Sequence, residues 1–197
     1  MVVIEESQVP DVALPVAELR RHLRLGTGFG EDDVQDAVLT SFLRAALAAV
    51  EARTGKVLMQ RDFVMVLEAW RDDAGEALPV SPVSALTGLR LVMRDGGSVD
   101  ADPAVYRLVR DDTVPRIAPM GFALPTVPPG GTVEVRFTAG YGPGFADLPA
   151  DLAQAVLLLA AHYYEYRDET ALAEGCMPFG VTSLIARYRR LGLGAPR

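Results

Sequence analysis

Chemistry needs a reactive group with a partner at the right spacing, and these 197 residues offer few candidates. His162-Tyr163-Tyr164-Glu165 sets an imidazole and a carboxylate at i and i+3, the spacing a metal-binding helix uses. A di-metal helical site needs more carboxylates on facing helices, and the only other histidine is His22, so a packed or capping histidine is the favoured reading. Gly26-x-Gly28-x-Gly30 stands before a helix, as a phosphate-binding turn would, but it follows a helix rather than a strand. Glu31, Asp32 and Asp33 then put negative charge where a phosphate would sit. Cys176 is the single cysteine: it excludes an internal disulfide and a cysteine-based metal site, suits reducing surroundings, and has Glu174 nearby to disfavour a thiolate. Neither histidine lies near a nucleophile elbow. The pairs Asp32 with Asp33 and Asp111 with Asp112 sit in polar stretches where helix-start or turn roles suffice. The expectation is no catalytic residue, no metal site, no cofactor and no enzyme.

One basic cluster remains, Arg187-Tyr188-Arg189-Arg190. It reads either as a solvated helix end whose cations complement the dipole, or as a docking surface that, with the tail Gly192 to Arg197, meets an acidic partner protein. Contact with DNA ranks behind both. The net charge of -7 opposes a nucleic-acid gripping surface, since neutralisation of phosphates by Lys and Arg supplies most of such binding. Lys56 is the only lysine among the basic residues, a bias that fits bidentate carboxylate contacts or a GC-rich genome.

Positioning these residues falls to a plan of helices, strands, then helices. Half the residues are apolar, enough for one good core or for a helical body with a second lobe. Pro15 to Leu25 reads as a short amphipathic helix through Val16, Leu19 and Leu23. Acids at Glu31 to Asp33 open a second helix that runs to about Thr54, where Gly55 stops it, a rod of roughly 36 Å. Its apolar residues cover more than a narrow stripe, so it wants partners on two sides. From Val57 the period changes to two. Phe63, Met65 and Leu67 alternate as in a strand, Leu89 to Met93 and the turn Asp95 to Ser98 follow, Tyr106 to Val109 and Arg116 to Ala118 are weaker, and Val133, Val135 and Phe137 mark the clearest strand. Pro149 starts a third helix to about Arg167, and a last one is expected from Val181 to about Leu191. The fold class is α+β: about four helices with an inserted small antiparallel β lobe, divided as 1–56, 57–144 and 145–197. Nothing in Met1 to Gln8 has the order of a secretory leader, and the longest apolar run, Ala155 to Ala161, is far below the roughly 20 residues of a membrane span. No membrane association is expected, and the cytoplasm is the expected compartment.

Four stretches, in order, resemble the head-tail connector (adaptor) family of long-tailed phages and gene transfer agents: Leu14 to Arg24; Glu31-Asp32-Asp33 leading to Ala48 to Gly55; Val133 to Gly142; and Leu148 to Leu152 through His162 to Arg167. Tyr188-Arg189-Arg190 after Leu184-Ile185 resembles the family's ending, while the lobe between Arg61 and Thr132 resembles nothing nameable. The resemblance implies a structural subunit of a homo-oligomeric ring, typically a dodecamer, in the neck of a virion or phage-like particle assembled in the bacterial cytoplasm. Its implied partners are the portal protein above and a stopper or tail-completion protein below, with DNA passing through the lumen without specific binding. Arg187, Tyr188, Arg189, Arg190 and Arg197 are the residues expected at the portal or oligomer interface. The rivals are another neck protein, or a small ligand-binding domain or enzyme with a pocket between helices and strands.

Overall fold

The computed structural model describes residues 1–25, 32–167 and 177–189. The chain forms two compact units, one of Met1–Val9 with Met59–Pro143, the other of Pro10–Leu58 with Gly144–Arg197.

The second unit holds the helices α1 (Val16–His22), α2 (Asp32–Thr54), α3 (Ala150–Glu165) and α4 (Phe179–Ile185). Along α2, Leu39, Leu43, Ala46, Leu47 and Val50 recur at helical spacing and are buried. The helix ends as its sequence demands: the Thr54 hydroxyl donates to Val50 O at 2.8 Å, and Gly55, at φ 67°, donates its N–H to Glu51 O at 2.8 Å. On α3 the buried set is Leu152, Ala155, Val156, Leu159, Ala160 and Ala161, and its alanines let neighbours approach closely. The helix packs on α1, α2 and α4, which explains an apolar surface wider than one stripe. An Arg20–Asp36 ion pair ties α1 to α2, and Arg44 pairs with Asp11 in the 3-10 turn before α1. The first helix is shorter than its periodicity suggested: it ends at His22, and Arg24 turns left-handed at φ 54°. The last is shorter too. It ends at Ile185 and tightens into a 3-10 turn over Ala186–Tyr188, with Arg189 extended after it.

The first unit holds eight strands: β1 (Val2–Glu5), β2 (Arg61–Leu67), β3 (Glu76–Ala77), β4 (Val83–Val92), β5 (Ser98–Asp100), β6 (Tyr106–Val109), β7 (Arg116–Pro119) and β8 (Thr132–Ala139). They make an antiparallel five-stranded sheet in the order β1-β2-β8-β4-β5, and an antiparallel three-stranded one, β3-β7-β6. Central β8 keeps the alternation of its sequence from Thr132 to Phe137, with Val133, Val135 and Phe137 fully buried, and loses it at the end, where Thr138 is buried beside Ala139. Phe137 lies opposite Phe63 of β2, the rings stacked 5.7 Å apart. Glycine is required at two places beside this strand. A Cβ on Gly131 would lie 2.1 Å from Val92 O, and one on Gly140, at φ 127°, would lie 2.5 Å from the Gln60 backbone. β4 is longer than the alternation at Leu89 indicated, because bulges between Val83 and Ala85 and between Leu86 and Gly88 break the two-residue period of its first half. Among the described residues four helices and two small antiparallel sheets make the fold α+β.

Candidate interaction surfaces

The basic cluster begins on the 3-10 turn that follows α4. Arg187 reaches Asp151 in the first turn of α3, Nη2 to Oδ2 at 2.7 Å, and donates to the Tyr188 hydroxyl at 2.5 Å. That hydroxyl donates in turn to Asp151 Oδ1 at 2.7 Å, and the Arg187 guanidinium lies 4.7 Å from the Tyr188 ring centre. Burial, aided by the Asp151 carboxylate, raises the Tyr188 pKa above the usual tyrosine range, while Arg187 pulls the other way. Arg187 is thus exposed but locally matched in charge, and Arg189 beside it is exposed on extended backbone. Arg190 and Arg197 lie outside the described residues.

The remaining chemical candidates are placed as structural groups. His162 sits near the C-terminal end of α3 against Tyr166, ring centres 4.6 Å apart, and its carbonyl accepts the Tyr166 N–H. Around it Tyr164 meets the edge of Phe42, and Arg167 lies over the Tyr164 ring. Asp111 accepts the N–H groups of Thr113 and Val114, both at 2.7 Å, in the turn between β6 and β7. The Gly26 to Gly30 loop, Glu31 and Cys176 lie outside the described residues, and the side chains of Asp32 and Asp33 are not described. Among the described residues no group of three or more His, Cys, Asp or Glu side chains could hold a metal ion, and no helix is long and apolar enough to cross a membrane. In the helical unit a cleft of about 540 Å³ is lined by Val16, Ala17, Arg20, Arg21 and Asp36.

Apolar side chains at the surface of the strand unit form a second kind of candidate. Met1, Val2, Val3 and Ile4 are 59%, 58%, 37% and 49% exposed, so β1 shows apolar groups on both of its faces. In the loop from β7 to β8, Phe122 is fully exposed, as is much of Met120, whose N–H donates to the carbonyl of the exposed Val105. Isolated apolar residues at a surface are ordinary, but contiguous ones mark contact sites.

No protein-family model matches the sequence, and no curated protein does. Solved structures match over the full length of both chains. A chain in the neck of an empty GTA particle, computed with C6 symmetry, is 51% identical with a TM-score of 0.89. One in the virion of a native gene transfer agent (GTA) particle is 51% identical with a TM-score of 0.86. A third, in the neck of a native GTA particle computed with C12 symmetry, is 48% identical with a TM-score of 0.84. The chain belongs to the head-tail connector family.

For a head-tail connector the informative surfaces are those open to other chains, and the sequence indicates only some of these candidates. The arginine cluster was visible as charge, but its link to Asp151 joins residues far apart in the chain. β1 and Phe122 carry fainter signals in the sequence. Val2-Val3-Ile4 is a run of β-branched residues. Phe122 stands in a loop between Pro119 and Pro125, where a large aromatic has no covering element.

Proposed function

We propose that the chain is the adaptor subunit of a phage-like neck: a particle component that repeats as a ring beneath the portal and joins the capsid to the stopper or tail-completion protein. The observation carrying this reading is identity of about half the residues, over the whole length, to chains from GTA necks. Those necks were computed with sixfold and twelvefold symmetry, which supports a dodecameric ring for this chain. In a closed ring each subunit meets two neighbours through unlike surfaces, and a standard interface buries about 1,600 Å² in total. The role is mechanical and needs no catalytic residue. The charge of -7 suits a wall past which DNA slides, since a basic lining would retain it.

In this reading Arg187, Tyr188, Arg189, Arg190 and Arg197 face the portal. The pairing of Arg187 and Tyr188 with Asp151 fixes the turn and leaves Arg189 presented to the partner. Mixing the purified chain with the portal from the same genome and imaging the product by electron microscopy tests both claims. An added ring below the portal is expected. Arg189→Glu with Arg190→Glu, which spares the Asp151 pair, should abolish docking with an unchanged circular dichroism spectrum, and retained docking would remove the arginines from the interface. A chain that joined only the lower end of a completed neck would be a stopper or tail-completion protein. Saturable binding of a small molecule would favour a ligand-binding domain.

A further inference from the structure

Hydrogen bonding along β1 leaves half of its backbone groups directed away from the sheet. Glu6 donates its N–H to Asp62 O at 2.8 Å, and the antiparallel register continues with Ile4 opposite Val64 and Val2 opposite Val66. Hydrogen-bonded and non-bonded pairs alternate in such a ladder. Ile4 and Val2 therefore bond inward to β2, and the N–H and C=O groups of Val3 and Glu5 point outward. Because β1 is an outer strand of the five-stranded sheet, these groups form an open edge, and an apolar open edge is a template for another strand. The charges at the end of the strand are already matched, Glu5 with Arg61 at 3.3 Å and Glu6 with Arg136 at 2.5 Å.

The other outer strand has the same arrangement. Ala101 donates its N–H to Leu89 O and Met93 donates to Gly97 O, so Val99 bonds inward to Leu91 while Ser98 and Asp100 direct their backbone groups outward. Val99 is exposed, and the Asp100 carboxylate is matched by Arg90 at 2.7 Å. Each edge thus offers outward groups at two residues separated by one: Val3 and Glu5 on β1, Ser98 and Asp100 on β5.

We infer that β1 docks on a second copy of this chain, extending the neighbour's sheet at its β5 edge; the inference rests on the ring reading above. Two observations favour a second copy as the occupant. A ring needs two different surfaces that fit each other on every subunit, and the sheet supplies two open edges of matched spacing. Copies that each carry -7 also repel wherever charged faces meet, so contact between them is favoured where charge is absent or internally paired. Met1 to Ile4 has no charged side chain, and Glu5, Glu6 and Asp100 are paired with arginines of their own copy.

Hydrogen exchange read by mass spectrometry on wild-type rings and on the unassembled chain tests the pairing without altering the protein. The amides of Val3, Glu5, Ser98 and Asp100 should slow by about tenfold or more on assembly, the scale of one hydrogen bond gained at each interface. Either edge exchanging as fast as in the free chain overturns the inference. Val3→Pro is the complementary variant, since it removes an outward donor while sparing the inward bonds to β2. It should leave the melting temperature of the free chain unchanged and raise the concentration for half-assembly by about tenfold. Ile4→Lys, which places a charge on the exposed face, should act in the same direction. Rings that form from both variants as readily as from wild type would overturn the docking of β1 and leave the neck reading standing, whereas failure of the wild type to form any ring would overturn both.

Discussion

The two units bury their cores equally well and differ in what they leave outside. In the helical unit Leu39, Leu43, Val50, Leu152, Leu159 and Ile185 are hidden, and among its described residues the large apolar side chains left exposed are few, Val12, Val38, Tyr166 and Phe179, on a surface that also carries pairs such as Arg20–Asp36 and Arg187–Asp151. In the strand unit Phe137, Val135, Met65 and Leu89 are hidden as completely, yet β1, Val99, Met120 and Phe122 put apolar surface into solvent. Antiparallel strands end in edges, and a small sheet cannot cover its own, whereas a helix satisfies its backbone internally. The difference teaches that burial alone does not locate function here. In the ring reading proposed above, the larger apolar surface of the strand unit is where other chains would dock.

The comparison breaks most severely if the cores are not equivalent. Phe137→Ala removes a stacked ring from the centre of the five-stranded sheet and should cost about 3–5 kcal/mol; Leu43→Ala in α2 should cost about 2–5 kcal/mol. Urea denaturation measures both. A loss below about 1 kcal/mol at Phe137 would mean that the sheet interior relaxes around the gap, and that the strand unit is a looser body than its buried strands indicate.

Phe122→Ser sharpens the same contrast at the surface. The side chain is fully exposed, so the free chain should keep its stability within about 0.5 kcal/mol. Assembly with the portal, followed by light scattering or electron microscopy, should weaken instead, as expected for an aromatic anchor. Unimpaired assembly would return Phe122 to the class of ordinary exposed apolar residues.

What could be read from the sequence divides along the same line. Elements that bury one face of a regular structure carry a period: α2, α3, β2, β6, β7 and β8 were legible from it, and the order of four motifs between Leu14 and Arg167 indicated the family. Elements without a one-sided environment carry none. β1 is exposed on both faces, so nothing constrains it to alternate; β3 is two residues long; and the first half of β4 loses its period at two bulges. The end of α4 departs from its periodicity for a related reason. Leu184, Ile185 and Tyr188 keep helical spacing, but Tyr188 is held by Asp151 in a 3-10 turn, and a contact across the chain leaves no mark on local periodicity.

That contact supports the smallest effect, and it concerns the helical side of the comparison. Burial and the Asp151 carboxylate favour the neutral Tyr188 hydroxyl, so its folded pKa stands above the unfolded value of about 10. With a raised pKa, the stabilising contribution is fully present below about pH 10 and is lost as pH rises through the folded value. Absorbance of tyrosinate near 295 nm, taken as the difference between wild type and Tyr188→Phe, should show this residue ionising later than a free tyrosine. In Asp151→Asn the transition should move to lower pH, because the carboxylate is one of the groups opposing the phenolate, while part of the elevation persists from burial. An unmoved transition would mean that burial alone sets the value. The Arg187, Tyr188 and Asp151 trio would then be a loose surface contact, unable to fix the turn that presents Arg189.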